Sequence, residues 1–332
     1  MLTAASAPAA ALAPASAPAL VAAEGDSPDG FTIKDSRITE SSGLAASRAH
    51  PGVYWTHNDS DDGPYIYAVD GKTGRTVATV TLRGIGAPRD VEAISVGPDG
   101  DVYVGDIGDN LGGTWPHVWI YRFPEPKRLA DSTVTATQYV VRYEGGARDA
   151  ESLMVHPKTG RVYIVSKKRD GGGALYEGPA QLSKSGTNTF RRAAGIDVWA
   201  TDAAFSPDGS RLAVRSYFGG RMYAWKDGRP KERDSLSVPI QRQGESVSFT
   251  SDGKALMFGS EGARSSVEPV EVEAGDQGGA GGSKGGDGSP SDSGSAGADG
   301  GKNRTLTLGA ITFVVATALV MGLRRLLRRG RS

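Results

Sequence analysis

The chain has 332 residues, and its 38 lysines and arginines balance 38 aspartates and glutamates, so no net charge points to nucleic acid. Cysteine is absent, which excludes disulfides, thiolate metal sites and a cysteine nucleophile. Hydrophobic residues make up 38%, enough for one large core, and the 47 glycines and 18 prolines predict many turns and a low-complexity tract.

Residues 1–23 are almost entirely Ala, Pro, Ser and Leu and end in Val21-Ala22-Ala23. They read as the back half of a secretory signal peptide whose basic n-region would lie upstream of Met1. A disordered Ala/Pro tail is the alternative.

From about 31 to 272 the chain repeats one phrase, clearest as RDVEAISVGPDGDVYVGDIGDN over 89–110. First strands are predicted at 42–46, 92–96, 151–155, 201–205 and 245–249, starting 50, 59, 50 and 44 residues apart. The turns that follow are Gly97-Pro98-Asp99-Gly100, His156-Pro157-Lys158-Thr159-Gly160, Ser206-Pro207-Asp208-Gly209 and Thr250-Ser251-Asp252-Gly253. Proline, aspartate and glycine in that order suit a tight type I turn between antiparallel strands. Second strands follow at 53–59, 102–109, 162–168, 212–217 and 256–261. Third strands carry Tyr67, Tyr121, Tyr176 and Tyr223, and fourth strands are clearest at 76–82 and 135–143. Four short strands per unit, about every 50 residues, predict an all-β fold: a β-propeller of five four-stranded blades, with six as the alternative. Phe31–Arg37 is predicted as a strand lent to the last unit to close the ring, which removes two sheet edges.

In such a ring the first strands line a central channel. Their starts share one face with the ends of the second strands, because neighbouring strands are antiparallel. Strand starts bring Arg89-Asp90-x-Glu92, Arg148-Asp149-x-Glu151 and Arg242-x-x-Glu245 to that face. Strand ends bring His57-Asn58-Asp59, Asp106, Asp109-Asn110, Lys167-Lys168, Arg215 and Ser260-Glu261. The ligand-binding candidates are therefore His57, Asn58, Asp59, Glu92, Asp106, Asp109, Asn110, Glu151, Lys167 and Glu245. Among them Asp59, Glu92, Asp106 and Asp109 offer the oxygen ligands that Ca²⁺ or another divalent cation requires. The structural alternative makes each Arg-x-x-Glu a clamp, with Arg89 and Arg148 balancing the carboxylates. His57 with Asp59 is the one pair placed for acid–base work. No nucleophile elbow, P-loop or dinucleotide fingerprint occurs, so no catalytic residue is assigned.

The phrases ITESSGLAAS, VYWTHNDS, RDVEAIS, VYVGDIGDN, VWIYRFPEP and RDAESLMVHPKTGRVYIVSK resemble a widespread group of secreted bacterial β-propeller proteins, often from actinomycetes. The resemblance spans roughly 31–265 and implies the fold and an extracytoplasmic location, not a reaction. More distant gluconolactonase-like and phytase-like propellers use acidic, metal-binding channel mouths. Their ligand patterns do not match this chain residue by residue, so no roles carry over.

Residues 275–304 are a Gly/Ser-rich linker whose flexible reach is roughly 30 Å. Thr305–Leu323 follows as 19 uncharged residues, about 28 Å as a helix, the thickness of a bilayer core. The tail 324–332 carries five arginines, which places it in the cytoplasm and the repeats outside. The sequence thus predicts a single-pass, membrane-tethered binding module with an acidic channel mouth for an extracellular ligand or protein. A metal-dependent lactonase- or phosphoesterase-like hydrolase using the same mouth is the alternative.

Overall fold

A computed structural model describes residues 28–59, 62–169 and 172–272. The segment 1–23, the linker 275–304, the apolar run 305–323 and the tail 324–332 lie outside the described residues. No helix among the described residues is long and apolar enough to cross a membrane.

The described chain is all-β. After β1 (Phe31–Thr32), the first unit is β2 (Ser41–Ala46), β3 (Val53–Asn58), β4 (Tyr65–Asp70) and β5 (Thr76–Arg83). The second is β6 (Val91–Val96), β7 (Asp101–Asp106), β8 (Val118–Pro124), β9 (Ser132–Thr135) and β10 (Thr137–Tyr143). The third is β11 (Ala150–Val155), β12 (Val162–Ser166), β13 (Gly173–Glu177) and β14 (Thr187–Ile196). The fourth is β15 (Asp202–Phe205), β16 (Arg211–Ser216), β17 (Gly219–Lys226) and β18 (Arg229–Ser235). The fifth is β19 (Gly244–Phe249), β20 (Ala255–Ser260) and β21 (Ser266–Glu271).

Each unit is an antiparallel meander, and β1 pairs with β21 in the register Phe31↔Val267, so the fifth unit also has four strands. That pairing is shorter than the expected 31–37. Past Thr32 the chain leaves the sheet and buries Ile33 and Ile38 instead. The expected fourth strand at 135–143 is split at Ala136. Its first part, β9, pairs in parallel with β5 of the first unit, while β10 pairs with β8. β14 likewise adds in parallel to β10, which merges the second and third units into one eight-stranded sheet.

The turns explain the meander. Gly100, Gly209 and Gly253 sit at φ 77°, 67° and 74°. Each donates its N–H to the residue three before it (Gly97, Ser206 and Thr250), which closes the hairpin with a glycine that tolerates the left-handed conformation.

The core lies between sheets. One cluster joins Trp55 and Val80 of the first unit to Val104 and Phe123 of the second. Further clusters join units two and three around Ile120 and Leu153, three and four around Val165 and Val214, and four and five around Ala213 and Phe258. The last joins Met257 and Val267 of the fifth unit to Leu44 and Tyr67 of the first. The packing therefore returns to its start. The first strands neighbour one another in the same cyclic order, β2, β6, β11, β15, β19 and back to β2. Ala46 N–H donates to Ser248 Oγ at 3.0 Å across that last junction.

Candidate functional site

Four of the five first strands begin with the same irregularity. In β6 the register skips Glu92, in β11 it skips Glu151, and in β19 it skips Glu245. In β2 it skips Ser42 and Gly43. A β-bulge places one extra residue against the partner strand and re-aims its side chain. The three bulged glutamates are all buried; Glu92 and Glu245 each sense Glu151, and all three sense Lys167, so they face a common centre. β15 has no bulge. At its start Asp202 accepts N–H groups from Ala203 and from Val247 of the next unit, both at 2.8 Å.

Asp59, at the exit of β3, and Asp90, just before β6, complete the group. Asp59, Asp90 and Glu92 each offer a carboxylate oxygen, all within 4.8 Å of one another. Gly108 makes the approach feasible: a Cβ there would stand 2.6 Å from both Asp90 Oδ2 and Glu92 Oε1. Asn110 Nδ2 donates to Asp90 Oδ2 at 2.9 Å, and Ser42 Oγ reaches Glu92 Oε2 at 3.4 Å. On the other side of the centre Lys167 Nζ donates to Glu151 Oε1, with the Tyr217 ring 5.5 Å from the ammonium.

Charge balance within the group is uneven. Lys167 is the cation that all three glutamates sense, and Glu245 also senses Arg215. Burial, with Asp59, Glu151 and Asp90 behind it, holds the Glu92 pKa well above the ordinary carboxylate range. Burial raises Glu151 to about 7, although Lys167 opposes the shift. Burial and Glu261 raise Glu245. Lys167 moves the other way: burial works against its charge, but Glu151, Tyr217, Glu245 and Glu92 together hold it well above the usual lysine range. Glu151 Oε2 and Glu245 Oε2 are buried and have no hydrogen-bond partner among the described residues.

Several expected ligands do other work. Asp106 is fully buried and accepts from the N–H groups of Arg89 and Asp90 at 3.0 and 2.9 Å and from Tyr121 Oη at 2.5 Å. Asp109 accepts from Thr114 N–H, and from Trp115 N–H at 2.6 Å, which shapes the loop after β7. Asn58 accepts from Thr39 and Glu40 N–H and donates to Arg37 O and Asp62 Oδ2. Each carboxylate or amide is thus spent on chain geometry next to the centre.

His57 is also committed. Its Nε2 accepts from Gly43 N–H at 3.2 Å, and its Nδ1 lies 2.9 Å from Asn58 O, which it reaches as a donor. A side chain at Gly43 would meet Nε2 at 2.6 Å. Burial lowers the His57 pKa to about 4, so the ring is neutral near pH 7 and neither nitrogen is left to take a proton.

Arg89 and Arg148 do not balance the carboxylates. The Arg89 guanidinium lies between Trp115 and Trp119, 4.0 and 3.7 Å from the ring centres, and donates to His117 O. Arg148 donates to Glu144 O and Gly145 O. Arg215 is fully buried and ties the fourth unit to the fifth, donating to Ser246 O, Gly259 O and Gln241 Oε1. The sequence pattern alone did not single out Asp90 as a ligand or Lys167 as the counter-charge. The repeat of Arg-Asp-x-Glu at 89–92 and 148–151 was the available signal for Asp90.

No family model matches the chain, and no curated protein matches it. Among solved structures it is similar to a candidate 6-phosphogluconolactonase from Bacteroides uniformis, at 13% identity over 70% of this chain and 68% of that one, with a TM-score of 0.39. A chain of the mitotic checkpoint complex is similar at 12% identity over 69% of this chain and 60% of that one, with a TM-score of 0.37. At those values neither likeness bears on what the chain does.

Proposed function

We propose that this chain is a membrane-tethered, extracytoplasmic binding module. Its domain is a five-bladed β-propeller of the secreted actinomycete-type group it resembles, and its channel mouth takes a divalent cation. Five units whose first strands neighbour one another in cyclic order, and the strand borrowed from the N-terminal side, support the propeller reading. The 19-residue apolar run with its arginine tail supports the anchor.

One observation carries the cation. Three carboxylate oxygens of Asp59, Asp90 and Glu92 converge within 4.8 Å, and Glu151 and Glu245 each keep a buried carboxylate oxygen with no hydrogen-bond partner among the described residues. Like charges packed so closely repel unless protons or a cation sit among them. Ca²⁺ suits the set because it takes oxygen ligands alone and tolerates irregular geometry. Asp59, Asp90 and Glu92 would hold the ion, and Asp106 and Asp109 would support the backbone around it. The ion would present an open coordination side to an extracellular ligand.

The hydrolase alternative draws on the same ion and on Glu151, whose pKa near neutrality suits a general base. Calorimetric titration of the chelator-treated chain with Ca²⁺, Mg²⁺ and Mn²⁺ tests the common core. One-to-one binding that Glu92→Gln abolishes is expected. Absence of heat together with unchanged melting would end the cation reading. Turnover of generic lactones or phosphate esters, lost on chelation, would move the assignment to an enzyme.

A further inference from the structure

A groove of about 610 Å³ lies between the third and fourth units, at the end of the sheets where the Pro-Asp-Gly turns lie, away from the carboxylate centre. It is lined by Arg161, just before β12, Tyr163 of β12, Glu177 of β13, Trp225 of β17 and Arg229 of β18, together with His156. We propose that it is a second binding site, for an anion carried on a flat apolar face.

Two features argue for this ligand. The first is an aromatic floor. Trp225 packs edge-on against Phe205 at 4.8 Å and Tyr163 at 5.1 Å, and His156 meets Phe205 at 5.0 Å. These contacts fix the Trp225 indole while leaving it half-buried, with a face toward the groove. A rigid, partly exposed indole is a stacking surface for a flat ring or the apolar side of a sugar.

The second is an excess of donors. Glu177 is the buried-side acceptor, and it is taken twice: Arg161 pairs with Oε1, and Arg229 Nη1 donates to Oε2 at 3.0 Å. Holding both guanidiniums on one carboxylate orients them and leaves their other N–H groups directed elsewhere. The Trp225 indole N–H and the Tyr163 hydroxyl make no hydrogen bond to a described residue. Asp227, the other acid of the lining, sits exposed at the hairpin tip with φ 52°. The lining therefore offers several donors over an apolar floor, and its inner carboxylate is already spent. A carboxylate or phosphate supplies the matching acceptors. His156 does not add to the site, because its Nδ1 accepts from Lys158 and Thr159 N–H.

Titration calorimetry on the detergent-solubilised full chain tests the assignment, with phenyl phosphate, inorganic phosphate, phenol and D-glucuronate as probes. Phenyl phosphate, glucuronate or both should bind at least tenfold more tightly than inorganic phosphate and phenol. The preferred probe then tells an aromatic ligand from a saccharide. Arg229→Gln, at a half-exposed side chain, should weaken that binding about tenfold without changing the melting temperature, and Trp225→Leu should weaken it further. Glu92→Gln, at the opposite end of the sheets, should leave it intact. If neither composite probe exceeds bare phosphate, or if Arg229→Gln changes nothing, the groove is only a structural seam between two sheets.

Discussion

Replacing Glu151 by glutamine should stabilise the chelator-treated protein at pH 8, although the change removes an ion pair with Lys167. The reason is burial. Glu151 is 2% exposed, and its pKa is raised from 4.5 to about 7 even with the ammonium beside it. A carboxyl whose folded pKa exceeds its unfolded one binds more protons when folded. Stability is therefore greatest below the unfolded value and falls as pH rises through the folded one. A rise of about 2.5 units corresponds to roughly 3 kcal/mol, spread between about pH 4.5 and pH 7. Glutamine mimics the protonated form at every pH. The variant should match the parent below pH 4.5 and exceed it by about 3 kcal/mol at pH 8, or about 6–12 °C in melting temperature for a domain of this size. The difference between the two curves is the quantity to read, because His57 tilts the parent's curve the other way. Its pKa is lowered from 6.5 to about 4, so its contribution grows as pH rises over that window. Denaturant unfolding of both proteins from pH 4 to 8, in chelator, provides the test. A variant less stable than the parent by a fixed amount at every pH would show that the Lys167 pair outweighs burial, and that the centre does not need an added cation.

Gly108→Ala should leave the fold in place but cut cation affinity at least tenfold, since the new methyl would meet Asp90 and Glu92 oxygens at 2.6 Å; calorimetry with Ca²⁺ reads the loss. Glu125→Ala should cost about 2–4 kcal/mol in urea unfolding. This buried carboxylate accepts from Trp55 Nε1 and Ser47 Oγ, each at 2.6 Å, and from Ala49 N–H, joining the second unit to the first. Ile33→Ala should cost about 2–5 kcal/mol, because Ile33 is fully buried where the chain leaves β1 and enters the junction of the fifth and first units. An unchanged urea midpoint for Ile33→Ala would mean that this segment does not hold the junction together.

The sequence exposed the repeat because each strand pair is bounded by a turn whose chemistry is local. Pro207-Asp208-Gly209 and its counterparts mark hairpins in any context. First-strand positions followed to within a residue or so. The partition of 132–143 between two sheets was not legible, since Thr133 and Val141 differ in which neighbour they pair with rather than in residue type. The site was legible as a location. Glu92, Glu151 and Glu245 were recognisable as equivalent positions, but the bulges that turn them to the centre depend on register, which the residues themselves do not state. Asp106 and Asp109 were indistinguishable from Asp59 on the page. Only the fold shows that the first two face backbone amides, whereas Asp59 faces Asp90 and Glu92.

Crystals of the chain soaked in MnCl₂ and measured at the manganese edge would read the cation directly. An anomalous peak within about 2.5 Å of oxygens from Asp59, Asp90 and Glu92 is the predicted result, and it should vanish in Glu92→Gln. A map at saturating Mn²⁺ with no peak at that centre, or with peaks only on exposed carboxylates, would contradict a cation-binding mouth.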